Sequence, residues 1–154
     1  MNTNTSVIGL ITREGVDNVV KGQKVREILG VSFSVKSFKT TLTGKQREYV
    51  NRKLKKYNHE TMKVIKKLKN DKTTRQAVLH FDLTGHKPEC MQLMQFMIRN
   101  NKLYMFVYSR SLDAKNKLEQ DIEVAYRFAV RVSTQCDVDI HVIKFYVGNL
   151  HYYL

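Results

Sequence analysis

Four short groups in the second half of the chain carry side chains suited to covalent chemistry. They are Pro88-Glu89-Cys90, Gln95-Phe96, Arg110-Ser111-Leu112-Asp113 and Gly148-Asn149-Leu150-His151-Tyr152-Tyr153. A thiol can attack an electron-poor ring carbon, and a guanidinium can neutralise a phosphate. Hydroxyl, carboxylate and imidazole groups can read a base and a sugar. Such a set is what covalent work on a nucleotide ring requires. Taken alone, Cys90 reads as a buried structural thiol, the usual state of a free cysteine. Order and spacing relative to its partners carry the argument for a site.

The elements that must position these residues follow from periodicity. Residues 25–37 end in the alternation Val31/Phe33/Val35, which predicts a half-buried strand. Residues 45–70 predict helix, with an interruption near Asn58 and an apolar stripe of Val50, Leu54, Tyr57, Ile65 and Leu68. Gln76–Asp82 and Met91–Ile98 read as strands, and Lys102–Ser109 follows an Asn100-Asn101 turn as the second arm of a hairpin. Glu119–Val132 predicts a second helix with Ile122, Ala125, Tyr126 and Ala129 inward, and Asp139–Tyr153 a closing strand. This order predicts an α+β fold with a mixed sheet and helices on one side. Cys136 reads as structural, Met91, Met94 and Met97 as core, His80 as a half-buried strand residue, and His59 and His86 as loop residues.

Composition bounds the function. At 154 residues and 42% apolar content, the chain predicts a single globular domain spanning 1–154. The absence of a long apolar run predicts no membrane span, and the amino terminus shows no secretory signal pattern. Two cysteines without metal-ligand spacing predict free thiols in a reducing, cytoplasmic setting and no metal. The net charge is +13, and residues 45–75 hold twelve Lys/Arg against three acids, so +9 of it lies there. Lys45, Arg52, Lys56, Lys63 and Lys67 repeat at steps of seven and four, as one face of a helix or helix pair would. That density fits a polyanion such as RNA or DNA, or equally a solvated face that keeps the protein soluble.

With those residues set out, the chain resembles the thymidylate synthase and deoxycytidylate hydroxymethylase family. Leu68-Lys-Asn-Asp-Lys-Thr-Thr-Arg75-Gln-Ala-Val resembles a family segment, and Pro88-x-Cys90 with Gln95-Phe96 resembles its nucleophile segment. Arg110-Ser111-x-Asp113 begins 20 residues after Cys90, and Gly148-x-x-His151-x-Tyr153 places His151 61 residues after it, both in the family's register. Val25-Arg-Glu-Ile-Leu-Gly-Val resembles the opening strand. The resemblance implies a twisted mixed β-sheet flanked by helices, a homodimer, a pyrimidine nucleoside monophosphate as substrate and methylenetetrahydrofolate as one-carbon donor. It also implies roles. Cys90 would add to ring carbon 6 and make carbon 5 nucleophilic. Arg110 and Ser111 would hold phosphate, with Arg75 reaching across from the other subunit. Gln95 would lie behind the base, Asp113 would orient backbone, and His151 with Tyr153 would bond the sugar hydroxyl.

Asp121 falls where the family carries asparagine or aspartate. Asparagine suits the carbonyl of uracil, and aspartate can accept from the exocyclic amine of cytosine. An acid in the first turn of a helix also complements the helix dipole, so both readings stand. The chain departs from the family elsewhere. Thr43 replaces a tyrosine, Lys117 a glycine, Glu119-Gln120 a Pro-Phe pair, Met91 a histidine and Asn149 an acid. The stretch that carries the family's catalytic glutamate and folate-bracketing aromatics is missing before Gly44-Lys-Gln, and with Leu154 last, the lid is expected to be absent. Two functions therefore compete: carbon-5 one-carbon transfer or its nucleotide-binding remnant, and a noncatalytic member that binds RNA or DNA through residues 45–75.

Overall fold

A computed structural model describes residues 3–85 and 87–154. One mixed sheet organises them, with strand order β1-β2-β6-β5-β4-β3. The strands are β1 (Val16–Val20), β2 (Gln23–Ser34), β3 (Val78–His80), β4 (Met91–Arg99), β5 (Lys102–Asp113) and β6 (Asp139–Tyr153). The helices are α1 (Thr3–Glu14), α2 (Gly44–Lys56), α3 (Asn58–Asn70) and α4 (Leu118–Cys136). Only the β5–β6 pair is parallel, and α4 is the crossover between them. The fold is α+β, as the periodicity predicts.

The helical stripe packs inward, with Val50, Tyr57, Ile65 and Leu68 all 5% exposed or less and Leu54 half-buried. The interruption falls at Tyr57, between α2 and α3. Thr43 caps α2 by accepting from the Gln46 amide, while the Gln46 side chain accepts from the Thr43 amide. This capping box satisfies two of the helix's orphan donors. Asn100 and Asn101 both have positive φ, as a tight hairpin turn requires. His59 lies in the first turn of α3 rather than in a loop, His80 is exposed in β3, and His86 lies outside the described residues. α4 runs four residues beyond the predicted end, to a buried Cys136, and closes on Asp137 in the left-handed conformation.

The strands change phase in a common row. Along β5, Leu103, Met105, Val107 and Ser109 are buried and then Leu112; along β6, Ile143, Phe145 and Val147 are buried and then Leu150 and Tyr152. Ser109 pairs with Val147 and Ser111 with Asn149, leaving Arg110 and Gly148 as unpaired neighbours. Gly30 of β2 falls at the same level, between the Leu29–Asn149 and Val31–Val147 pairs. At this level β4 alone shifts register, between Met91 and Leu93, while the β2–β6 and β5–β6 registers run through unchanged. Bulges re-aim the side chains that follow them. Gly30 has a φ of 65°, and a Cβ on Gly148 would sit 2.9 Å from the Arg110 carbonyl oxygen, so both positions require glycine.

Candidate functional site

Beyond this row the sheet end, the start of α4 and one face of α2 enclose a cavity of about 530 Å³. Cys90, Ser111, Asp113, Asp121, His151 and Tyr153 all line it, so six of the sequence-predicted residues meet in one place. The strand irregularities put Ser111 and Asp113 on β5 beside His151 and Tyr153 on β6, with the Ser111–Asn149 and Asp113–His151 pairs in register. Cys90 enters from the loop before β4, with an exposed side chain, and its carbonyl accepts from the Arg110 amide at 3.0 Å. Asp113 accepts from the amides of Lys115 and Asn116 and from the Asn116 side chain at 2.8 Å. It thereby fixes the turn that delivers α4 and Asp121.

The buried end of the cavity holds a charge cluster that the sequence reading does not pick out. Lys53 is 4% exposed and donates to Glu89 Oε2 at 2.9 Å and to the Tyr49 hydroxyl at 3.1 Å. Its ammonium also lies 4.7 Å from the centroid of the Phe81 ring. Burial alone would lower the Lys53 pKa, but Tyr49 and the bond to Glu89 outweigh it and hold the ammonium above its ordinary value. Asp121 is 9% exposed, and its carboxylate makes no hydrogen bond or ion pair among the described residues. Burial pushes its pKa up to about 6, with the Glu89 charge adding to the rise and Lys53 and Lys117 opposing it. Lys53 could have been found in the sequence. It falls three residues after Val50 and four before Tyr57, on the apolar stripe itself, but its charge hides it within the basic run.

The open end is ordered by a relay. Asn149 Nδ2 donates to Glu27 Oε2 at 2.6 Å, and His151 Nδ1 lies 2.9 Å from Asn149 Oδ1. Glu27 also accepts from Asn18 at 3.1 Å, and hydrogen bonds from Asn149 and Asn18 hold its carboxyl below the usual range. A carboxylate can only accept, so it fixes the Asn149 amide with its oxygen toward the imidazole. That assignment puts the proton on His151 Nδ1 and leaves Nε2 as an acceptor. Tyr153 meets the His151 ring edge-on at 5.4 Å.

Three other predicted residues lie apart. Arg110 lines a shallower cavity of about 420 Å³ on the sheet, with Tyr108, Ser109, Tyr146 and Gly148. Gln95 Nε2 donates to the carbonyl of Arg75 at 3.1 Å, and neither residue lines the Cys90 cavity. Lys45, Arg52, Lys56, Lys63 and Lys67 are all exposed along α2 and α3. Among the described residues, no group of three His, Cys, Asp or Glu side chains is placed to hold a metal, and no helix is long and apolar enough to cross a membrane.

A folate needs an aromatic slot for its pterin ring. The cavity offers two rings, and both are engaged: the Tyr49 hydroxyl by Lys53, and Tyr153 by His151. Comparison with curated proteins finds no match. A family model described as thymidylate synthase matches residues 31–154, which include both ends of the cavity. That family transfers a methyl group to carbon 5 of a pyrimidine nucleoside monophosphate, usually from methylenetetrahydrofolate, and its members are typically dimeric and cytoplasmic. The mixed sheet, the cavity around Cys90 and this match together place the chain in the thymidylate synthase family.

Proposed function

We propose that the Cys90 cavity binds a pyrimidine nucleoside monophosphate and that the Cys90 thiolate adds to carbon 6 of its ring, the step that opens carbon-5 chemistry in this family. The convergence of Cys90, Ser111, Asp121, His151 and Tyr153 on one cavity carries the reading. Ser111 donates to phosphate at the rim, and His151 Nε2 with the Tyr153 hydroxyl engages the sugar hydroxyl. Asp121, buried and without a partner, gains one from the exocyclic amine of cytosine, which favours a cytosine over a uracil nucleotide. Arg75, which does not line this cavity, serves the phosphate of a second subunit in a homodimer. Single-domain organisation over 1–154 and a cytoplasmic setting complete the proposal.

A thermal-shift series with dCMP, dUMP and CMP tests it, because a ligand that binds only the native state raises the melting temperature. The expected result is a rise with dCMP that Ser111→Ala and His151→Ala together remove. No shift with any pyrimidine nucleotide at millimolar concentration contradicts it.

A second reading is favoured by one observation. Among the described residues, Lys53 is the only cation of α2 or α3 in an ion pair, so the exposed Lys45, Arg52, Lys56, Lys63 and Lys67 form none. As a noncatalytic RNA or DNA binder, the chain would lose affinity steeply with salt, because each neutralised phosphate releases counterions. Charge reversal at Lys56 and Lys63 would weaken binding to all sequences alike. A nucleic-acid affinity indifferent to salt and to these changes contradicts that reading.

A further inference from the structure

Glu89 is the residue before the nucleophile, and it lines the same cavity as Cys90. Its Oε2 is held at 2.9 Å by an ammonium that is itself buried against Phe81 and bonded to Tyr49. Its other oxygen, Oε1, makes no hydrogen bond among the described residues, although the side chain is only 20% exposed. A carboxylate fixed through one oxygen and open at the other is arranged for proton transfer at a defined point. The fixing group is unusual, because a lysine 4% exposed is a costly element that surface solubility does not explain. Asp121, on α4, differs in that its carboxylate makes no hydrogen bond or ion pair among the described residues, and it is assigned above to the exocyclic amine of the base.

We propose that Glu89, held by Lys53 and Tyr49, is the carboxylate that moves the carbon-5 proton of the bound pyrimidine. The proposal rests on the nucleotide reading above and assigns that reading's carbon-5 proton transfer to a residue of this chain. Cys90 loses its proton to water, and its sulfur forms a bond to carbon 6. The ring's C5=C6 electron pair shifts toward carbon 4, leaving carbon 5 basic. Water on the ring face away from Glu89 protonates carbon 5, and the Glu89 carboxylate removes the hydrogen that carbon 5 carried at the start and passes it to the hydroxide left behind. The C5=C6 pair re-forms, the C6–S bond breaks, and the thiol regains a proton from water. Atoms and electrons balance with water as the sole co-reactant, and the net change is exchange of the carbon-5 hydrogen with solvent.

The test uses the full chain with dCMP and dUMP tritiated at carbon 5, measuring release of label to water beside the nucleotide-dependent melting shift. Wild type is expected to release label, and Cys90→Ala to release none. Glu89→Gln, which keeps an oxygen for Lys53, is expected to retain the melting shift while release slows about 100-fold. Glu89→Asp, with the carboxylate restored one methylene short, is expected to recover part of that loss and covers the case in which Glu89→Gln fails to fold. Release by Glu89→Gln within about threefold of wild type overturns the proposal. A wild type that binds nucleotide but releases no label overturns it as well and leaves the nucleotide reading standing. A wild type whose melting temperature no nucleotide raises removes the nucleotide reading and this proposal with it.

Discussion

Asp121 keeps a carboxyl group in a place where its charge is poorly solvated, and that has a measurable consequence. Its pKa rises from 3.8 to about 6, chiefly through burial, so the native state holds the proton more tightly than the unfolded chain. Stability from this group is therefore greatest below pH 4, falls as pH rises to about 6, and stays low above that. Asp121→Asn is expected to stabilise the free protein by about 3 kcal/mol at pH 8 and by nothing at pH 3.5. Denaturant unfolding at the two pH values checks this, and an equal effect at both contradicts a buried, raised carboxyl. The same variant is expected to exchange dCMP preference for dUMP preference in the melting assay. At this scale the sequence was informative where register carried it, since Cys90, Ser111, Asp113, Asp121, His151 and Tyr153 do share one cavity. It assigned no role to Lys53, Glu89 or Glu27. Lys53 and Glu89 are joined across 36 residues, and Glu27 reaches Asn149 across 122, so their pairing exists only after the sheet and helices have formed.

The row of irregularities through Gly30, Arg110 and Gly148 is what turns ordinary strands into a site. Without it, Ser111 and His151 would keep the phase of Ser109 and Val147 and point with the core. Gly148→Ala would bring a Cβ within 2.9 Å of the Arg110 carbonyl, a backbone atom with little freedom to retreat. The expected cost is about 2 kcal/mol, with a drop in melting temperature of roughly 4–8 °C for a chain of this size. Unfolding of Gly148→Ala at the wild-type temperature would show that the strands tolerate a side chain there. The main strands and helices were legible because their apolar periods of two and 3.6 are strong. The change of phase was not, since alternation through Gly148 shifts from one face to the other without an obvious break. α1 and β1 were missed for a different reason. Gly9 interrupts the Val7-Ile8-Gly9-Leu10-Ile11 run, and all five residues of β1 are exposed, so neither shows a clear amphipathic period. α1 is held by Thr12 with Tyr152 at 3.2 Å and by Thr3 accepting from the amides of Lys36 and Ser37, and β1 by its antiparallel pairing with β2.

Across the whole molecule, the two faces of the sheet differ in a way that bears on assembly. One face packs under the helices. The other presents Tyr104, Phe106, Tyr108 and Tyr146, half-buried or exposed, with Tyr108 stacked on Tyr146 at 5.0 Å. Aromatic surface of this kind is unusual on an isolated protein and common at interfaces. A homodimer through this face is expected, and light scattering at tens of micromolar should give twice the chain mass; a monomer there would remove the role proposed for Arg75 across subunits. Tyr108→Lys, which places repelling charges on both sides of a twofold contact, should shift the population to monomer. Thiol alkylation followed by intact mass tests most directly whether a pyrimidine nucleotide sits against Cys90. Cys90 is exposed and Cys136 buried, so the folded protein should take up one equivalent of iodoacetamide quickly and the second slowly. Millimolar dCMP is predicted to slow the first modification about tenfold while leaving unfolding-dependent modification of Cys136 no faster. An unchanged rate at Cys90 with saturating dCMP, dUMP and CMP would contradict a nucleotide site in this cavity.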